Sequence, residues 1–238
     1  MGKILGVKID SDDFAGVMQK IKNFLHENKL HQIATVNPEF IVSAQYDKEF
    51  KNILNKCDLC VADGFGLQLA AKFLGEKIGP RLTGVDLTWE IAKFSAENGY
   101  SIFLLGAKEG IAKEAAERIK FLYPNLKIAG TWAGSPQEEG LIERINQTKP
   151  DILLVSFGAP KQEKFIYNNK DKIKVKLAMG VGGTFDYLAE IVPYAPNWIR
   201  TLGLEWLYRL VTQPKRFKRI FNAIIKFPII VFISKIFK

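Results

Sequence analysis

Asp63, in the stretch CVADGFG, is a carboxylate set between an apolar run and a glycine. The residues before it are β-rich and those after it have helical spacing, so it falls where a strand ends and a helix begins. A carboxylate at that point faces the crevice in which α/β sheets bind ligands, and it can take a proton as a general base. It can equally be the N-cap of the helix GLQLAAKF. Thr35 and Asn37 follow the run HQIA in the same way, where Asn37 before Pro38 also suits a turn or helix start. Arg81 lies in an irregular stretch, 75–85, with three glycines and one proline, which reads as a surface loop. Gln162 and Glu163 open the segment after GAP, where a glutamate complements a helix dipole.

Glycines offer a second kind of chemistry. Gly106, Gly158, Gly182 and Gly183 each end an apolar run ahead of a helical pattern. Such turns let backbone N–H groups approach a phosphate, although glycine also ends strands for steric reasons alone. The spacing matches neither GxGxxG nor a P-loop, so both readings stay open. Asp10-Ser11-Asp12 has the short DxD form that can hold a metal, but it precedes a helical stretch, and capping is the favoured reading. Cys57 and Cys60 form a CxxC that leads into an apolar strand, with only His26 and His31 as further soft ligands. Buried structural thiols fit better than a zinc or redox site. Neither a metal nor a cofactor is expected.

The elements that must position these residues alternate. β-rich runs near 3–8, 32–36, 58–62, 101–105, 126–131, 151–155 and 175–179 are separated by helical patterns near 11–28, 38–56, 64–74, 86–98, 109–122, 137–148, 159–169 and 184–190. That alternation predicts an α/β fold, a mostly parallel sheet with helices on both faces. Hydrophobic residues at 47% and charged residues at 25% of 238 exclude a disordered, collagen-like or disulfide-scaffold chain. No apolar signal segment opens the chain, and no run of about 18 apolar residues reads as a simple span. A cytosolic, reduced protein is expected.

Charge is concentrated at the end. From Arg200 onward there are nine basic residues and one acid, Glu205, a local +8 that leaves +1 for the first 199 residues. After the break PYAPN (193–197) the chain becomes a basic, apolar segment with prolines at 214 and 228. The expected division is a catalytic α/β body over 1–193 and a helical appendage over 194–238. Arg209, Arg216 and Arg219 share a helical face if the helix tolerates Pro214. The aliphatic run from Phe227 onward favours a membrane interface over nucleic acid, with an oligomer interface as the rival.

Taken together the segments TVNPEFIVSA, CVADGFGLQLAAKFLG, RLTGVDL, FLLGA, ILLVSFGAPKQE, GVGGTFDYLAE, YAPNW and LGLEWLYRL resemble the bacterial N-acetylmannosaminyltransferases of wall teichoic acid and enterobacterial common antigen synthesis, glycosyltransferase family 26. The resemblance implies a Rossmann-like body with a C-terminal basic amphipathic appendage on the cytoplasmic face of the membrane. It implies metal-independent, inverting transfer of N-acetylmannosamine from UDP to the 4-hydroxyl of N-acetylglucosaminyl-diphospho-undecaprenol. A related UDP-sugar donor, such as N-acetylmannosaminuronate, or a non-catalytic membrane-recruited nucleotide-binding module, are the alternatives. By matching segment, Asp63 would be the base. Thr35, Asn37, Arg81 and Gln162 would bind substrate. Gly106, Gly158, Gly182, Gly183 and Asp186 would meet the nucleotide. Arg209, Arg216 and Arg219 would stabilise the leaving diphosphate, folding over the sheet edge at the membrane and leaving a self-associated form in solution. The family's RAP is here Tyr194-Ala195-Pro196, without the arginine.

Overall fold

The computed structural model describes residues 1–237; Lys238, counted above in the basic tail, lies outside them. Six strands form one parallel sheet: β3 (His31–Val36), β4 (Leu59–Ala62), β5 (Ser101–Gly106), β6 (Lys127–Trp132), β7 (Ile152–Ser156) and β8 (Leu177–Gly180), in the order β4-β3-β8-β7-β5-β6. The five strands other than β6 are buried almost throughout, as expected of a parallel sheet covered on both sides. Alternate residues point to opposite cores. Ile33, Val61, Leu104, Leu154 and Met179 pack under α1 (Phe14–His26), α5 (Gly84–Asn98), α6 (Ile111–Leu122) and α9 (Thr184–Leu188). Ala34, Val36, Cys60 and Ala62 pack under α2 (Pro38–Tyr46), α3 (Lys48–Lys56) and α4 (Phe65–Leu74). Leu105, Leu153 and Val155 meet α7 (Leu141–Gln147) and α8 (Lys161–Asn168).

Four details differ from the sequence reading. The run 3–8 is a hairpin outside the main sheet, β1 (Gly2–Ile4) against β2 (Val7–Ile9), because Leu5 and Gly6 both take positive φ and close a tight turn. The helical stretch 38–56 is two helices, since Asp47 ends α2 and caps α3 by accepting from Phe50 N at 2.9 Å. The cap of α1 is Asp13, not the DxD residues. Asp10 instead accepts from Cys60 N at 2.8 Å and, with Asp12, holds Lys20. The stretch 75–85 is tied to the body, with Gly79 N donating to Asp10 O and Leu82 N to Ala62 O, both at 2.8 Å.

The tail is a chain of helices. After α10 (Asn197–Thr201) and α11 (Glu205–Thr212), a single turn at Pro214–Arg216 leads into a helix we call α12, which runs as Phe217–Phe221, a π turn Asn222–Lys226, and Phe227–Ile236. Pro228 lacks an N–H and would clash with a carbonyl one turn back; the widened π turn just before it lets the helix continue. Among the described residues no helix is long and apolar enough to cross a membrane. Instead α12 lies on α2 and α4. Its Phe227 (1% exposed) and Val231 (4%) belong to the same core as Phe40, Leu67 and Ala71. Removing the Phe227 ring leaves a cavity there, so Phe227→Ala is expected to weaken tail docking by about 3 kcal/mol. Faster amide exchange across 217–236 would show it; unchanged exchange would mean that the tail is held elsewhere.

Candidate functional site

The carboxyl ends of β4, β3 and β8 and the returning tail enclose Asp63. The local fold explains its position. Gly64, at φ +121°, turns the chain out of β4 into α4, and Gly64, not Asp63, is the N-cap of that helix. The capping alternative is therefore removed, and the carboxylate is left facing a cavity. Gly84 N donates to it at 3.4 Å. Burial pushes the carboxyl up to about 6. The charges of Arg209 and Arg81 and the Gly84 N–H pull the other way, and Glu205 adds a smaller upward push.

Two openings meet at Asp63. The first is a cavity of about 90 Å³ that includes Thr35, Asn37, Gln162, Gly182, Gly183 and all three tail arginines in its lining. The second is a groove of about 370 Å³ between α4 and α12, which Arg81 and the same arginines also line. Gly106, Gly158 and Asp186 line neither. A Cβ at Gly106 would lie 2.8 Å from the Ser156 carbonyl, so its glycine admits strand β7.

Individual side chains are more committed than their types suggest. Thr35 Oγ1 donates to Gly180 O at 3.3 Å, and Asn37 Oδ1 caps α2 by accepting from Phe40 N at 3.1 Å. Gln162 is almost fully buried. Its Oε1 accepts from Gly158 N and Gly182 N, both at 3.0 Å, and its Nε2 donates to Glu163 Oε1 at 2.7 Å. It holds two glycine turns together. Tyr194 lines the first cavity, and its hydroxyl accepts from Trp89 Nε1 at 3.4 Å.

The arginines do not share one helical face. The helix breaks before Pro214, so Arg209 comes from α11, Arg216 from the turn, and Arg219 from α12. The bend makes them converge. Arg219 pairs with Glu39 at 2.7 Å. Arg209 lies over the Tyr187 ring, and neither it nor Arg216 has a carboxylate within 4 Å among the described residues. Burial and the neighbouring Arg219 charge hold Arg216 below the usual guanidinium range. Arg81 is paired with Glu205, and Arg200 reaches Asp86 at 3.3 Å, so ion pairs pin the tail over the sheet edge.

Glu163 is the residue that sequence reasoning placed wrongly. It is fully buried, its Oε2 has no hydrogen-bond partner among the described residues, and desolvation raises its carboxyl to about 7. Gly180 makes room for it, since a Cβ there would lie 2.5 Å from Glu163 Oε1 and Gln162 Nε2. A helix-start glutamate normally faces solvent; the only available signal was the glycine in β8. Cys57 and Cys60 are free and buried, and the Cys60 thiol together with burial pushes the Cys57 thiol well up. Among the described residues no three His, Cys, Asp or Glu side chains gather as a metal site would require.

Residues 2–238 match the Glycosyl transferase WecG/TagA/CpsF family. The chain is similar to the N-acetylglucosaminyldiphosphoundecaprenol N-acetyl-beta-D-mannosaminyltransferases of three bacteria. With that of Bacillus subtilis (strain 168) it is 33% identical, over 84% of this chain and 79% of the relative. With that of Bacillus spizizenii it is 30% identical, over 90% and 84%. With that of Staphylococcus aureus (strain MRSA252) it is 31% identical, over 91% and 87%.

The raised Asp63 carboxyl has a cost in stability. An unfolded aspartate titrates near pH 3.9, so the folded state holds this proton more tightly than the unfolded state does. The stability that this proton gives is present below about pH 4 and is lost as pH rises through about 6. Asp63→Asn is therefore expected to raise the melting temperature at pH 8 by several degrees and by less at pH 5. An equal melting temperature at pH 8 would mean that the carboxylate is not desolvated.

Proposed function

The chain belongs to the WecG/TagA/CpsF glycosyl transferase family, and on that premise we propose that it moves N-acetylmannosamine from UDP to the 4-hydroxyl of N-acetylglucosaminyl-diphospho-undecaprenol. The observation that carries this reading is a part-buried carboxylate, freed from capping, that lines both openings together with Arg209 and Arg216, which have no carboxylate within 4 Å among the described residues. Asp63 takes the proton of the acceptor 4-hydroxyl as that oxygen attacks C1 of the sugar. The C1–O bond to UDP breaks on the opposite face, giving inversion and a β-1,4 linkage. UDP departs with the bonding pair, and Arg209 and Arg216 meet the charge that develops on its diphosphate.

Those arginines supply the positive charge that the departing diphosphate needs, while Asp10 and Asp12 are spent on Lys20. This supports transfer without a metal. Thr35 and Asn37 line the sugar side, and Gln162 sets the Gly182 turn that the nucleotide meets. Gly106, Gly158 and Asp186 serve the nucleotide only after a rearrangement, as none of them lines the cavity in this state. The first cavity, about 90 Å³, is far below the roughly 300–1,000 Å³ of sites that hold small-molecule ligands. The tail must therefore lift to admit the donor and close again over it. Exposed Phe217, Phe221, Ile225, Ile229 and Phe232 on α12, with Lys218, Lys226 and Lys235, suit the cytoplasmic surface of a bilayer. Self-association in solution would cover the same face.

Asp63→Asn is expected to cut transfer by roughly 10²–10⁴-fold while UDP still binds. Wild-type kcat/KM should rise with pH through about 6, and the variant should lack that limb. A variant with near-normal turnover would place the base elsewhere. Activity should also survive EDTA, and a loss restored by manganese or magnesium would overturn the metal-free reading. Arg216→Lys keeps the charge but not the forked donor geometry. It is expected to lower turnover more than vesicle binding; equal losses would reduce the arginine to an anchor.

A further inference from the structure

Glu163 is a buried carboxyl that the transfer described above does not use. It stands in the first turn of α8, and its Oε2 has no hydrogen-bond partner among the described residues. An apolar side chain of similar length would avoid the cost of burying such a group, so its presence asks for a reason. The surrounding fold is fitted to it. Gly180 of β8 leaves the space in which Glu163 Oε1 and Gln162 Nε2 meet. Gln32, itself buried in β3, donates from Nε2 to the Glu163 carbonyl at 3.1 Å. From there the bonds run toward the first cavity. Glu163 Oε1 accepts from Gln162 Nε2 at 2.7 Å, and Gln162 Oε1 accepts from Gly158 N and Gly182 N at 3.0 Å each. Gln162 and Gly182 line that cavity with Asp63, whereas Glu163 lies behind them.

We propose that Glu163 is a positioning residue: by accepting from Gln162 Nε2 it locks the Gln162 carboxamide against the Gly158 and Gly182 turns, and so presets the wall that receives the nucleotide. The inference rests on the reading of the first cavity as the donor site and adds to it a residue that touches no substrate. An amide that accepts from two N–H groups must turn its own NH2 away from them. That NH2 is buried, and Glu163 Oε1 is its acceptor. Without this oxygen the buried nitrogen is left unpaired, which is relieved by turning the side chain into the cavity that it lines, and both glycine bonds are then lost. The Gly182 turn would keep only its carbonyl contact, the hydrogen bond from Ser156 Oγ. The accepting oxygen is present whether the carboxyl is ionised or protonated, since Oε2 can carry the proton. A glutamine at 163 offers the same oxygen, and a methionine offers the shape alone.

The test compares Glu163→Gln, Glu163→Met and Gln162→Met in the full chain, by amide hydrogen exchange without ligand and by equilibrium titration with UDP. In Glu163→Met, exchange at Gly158 and Gly182 is expected to quicken about tenfold, with that at Leu154 and Met179 in the sheet unchanged. UDP should bind severalfold more weakly, and the donor KM should rise while kcat changes less, because Asp63 and the arginines are untouched. Glu163→Gln should keep both readouts near those of the wild type. Gln162→Met should match Glu163→Met, and the double variant should lose little more, since the two side chains act as one unit. Unchanged exchange at both glycines in Glu163→Met would overturn the proposal. So would Glu163→Gln behaving like Glu163→Met, because the accepting oxygen would then not be what matters. Equal quickening at Leu154 and Met179, or quickened glycines with unaltered UDP affinity, would make Glu163 a support of the fold alone, which also overturns it. If the glycine exchange and UDP affinity change as expected but no sugar is transferred, the positioning role stands and the transferase reading fails.

Discussion

On the proposed reading Asp63 accepts a proton near neutral pH, and a carboxylate with that task must be taken out of water without being neutralised permanently. At Asp63 two opposed effects set that balance. Enclosure at the end of β4 favours the protonated acid, and the charges of Arg209 and Arg81 favour the anion. The enclosure and the cations have the same source, because the tail that covers the site carries Arg209 and pairs with Arg81 through Glu205. Removing the tail would wet the carboxylate and strip its counter-charge at once. The body and the appendage are therefore one chemical unit, although the sheet is complete before Pro193.

The same coupling explains the tail's irregularities. A straight helix from 205 to 236 would carry its arginines on a single stripe and could not lie along α2 and α4 while capping the sheet edge. The break at Pro214 turns the chain so that three arginines from different turns converge, and the π turn before Pro228 keeps α12 continuous. Phe227 and Val231 anchor this arrangement in the core, leaving the opposite face apolar and exposed. An isolated surface ion pair adds little. Arg81–Glu205, Arg200–Asp86 and Arg219–Glu39 together fix where the tail lands more than how strongly it is held.

Much of this was legible beforehand. Continuous apolar runs ending in small residues point to the parallel strands, and the position of Asp63 between strand and glycine points to the sheet edge where the structure has a cavity. What sequence could not show were the effects of partners distant along the chain. Nothing local tells that Asp47 divides a helix, that Asp13 caps in place of Asp10, or that Glu163 turns inward beneath Gly180. Sequence spacing puts Arg209, Arg216 and Arg219 on one helical face only if the helix tolerates Pro214; it ends at Thr212, and the three arginines converge from different turns instead. Sequence resemblance makes Gln162 a substrate-binding amide; in the fold it lines the cavity, and both ends of its carboxamide also hold protein groups, supporting two turns.

The central claim is that the proton affinity of Asp63 is set by a cation brought by the tail. The direct measurement is the pH titration of the Asp63 carboxyl carbon by NMR, in the wild-type chain and in Arg209→Met. The account predicts a midpoint near 6 in the wild type and a higher midpoint in the variant, because desolvation then acts with less opposing charge. A midpoint that does not move, or that falls toward that of a solvated aspartate near 3.9, would contradict it.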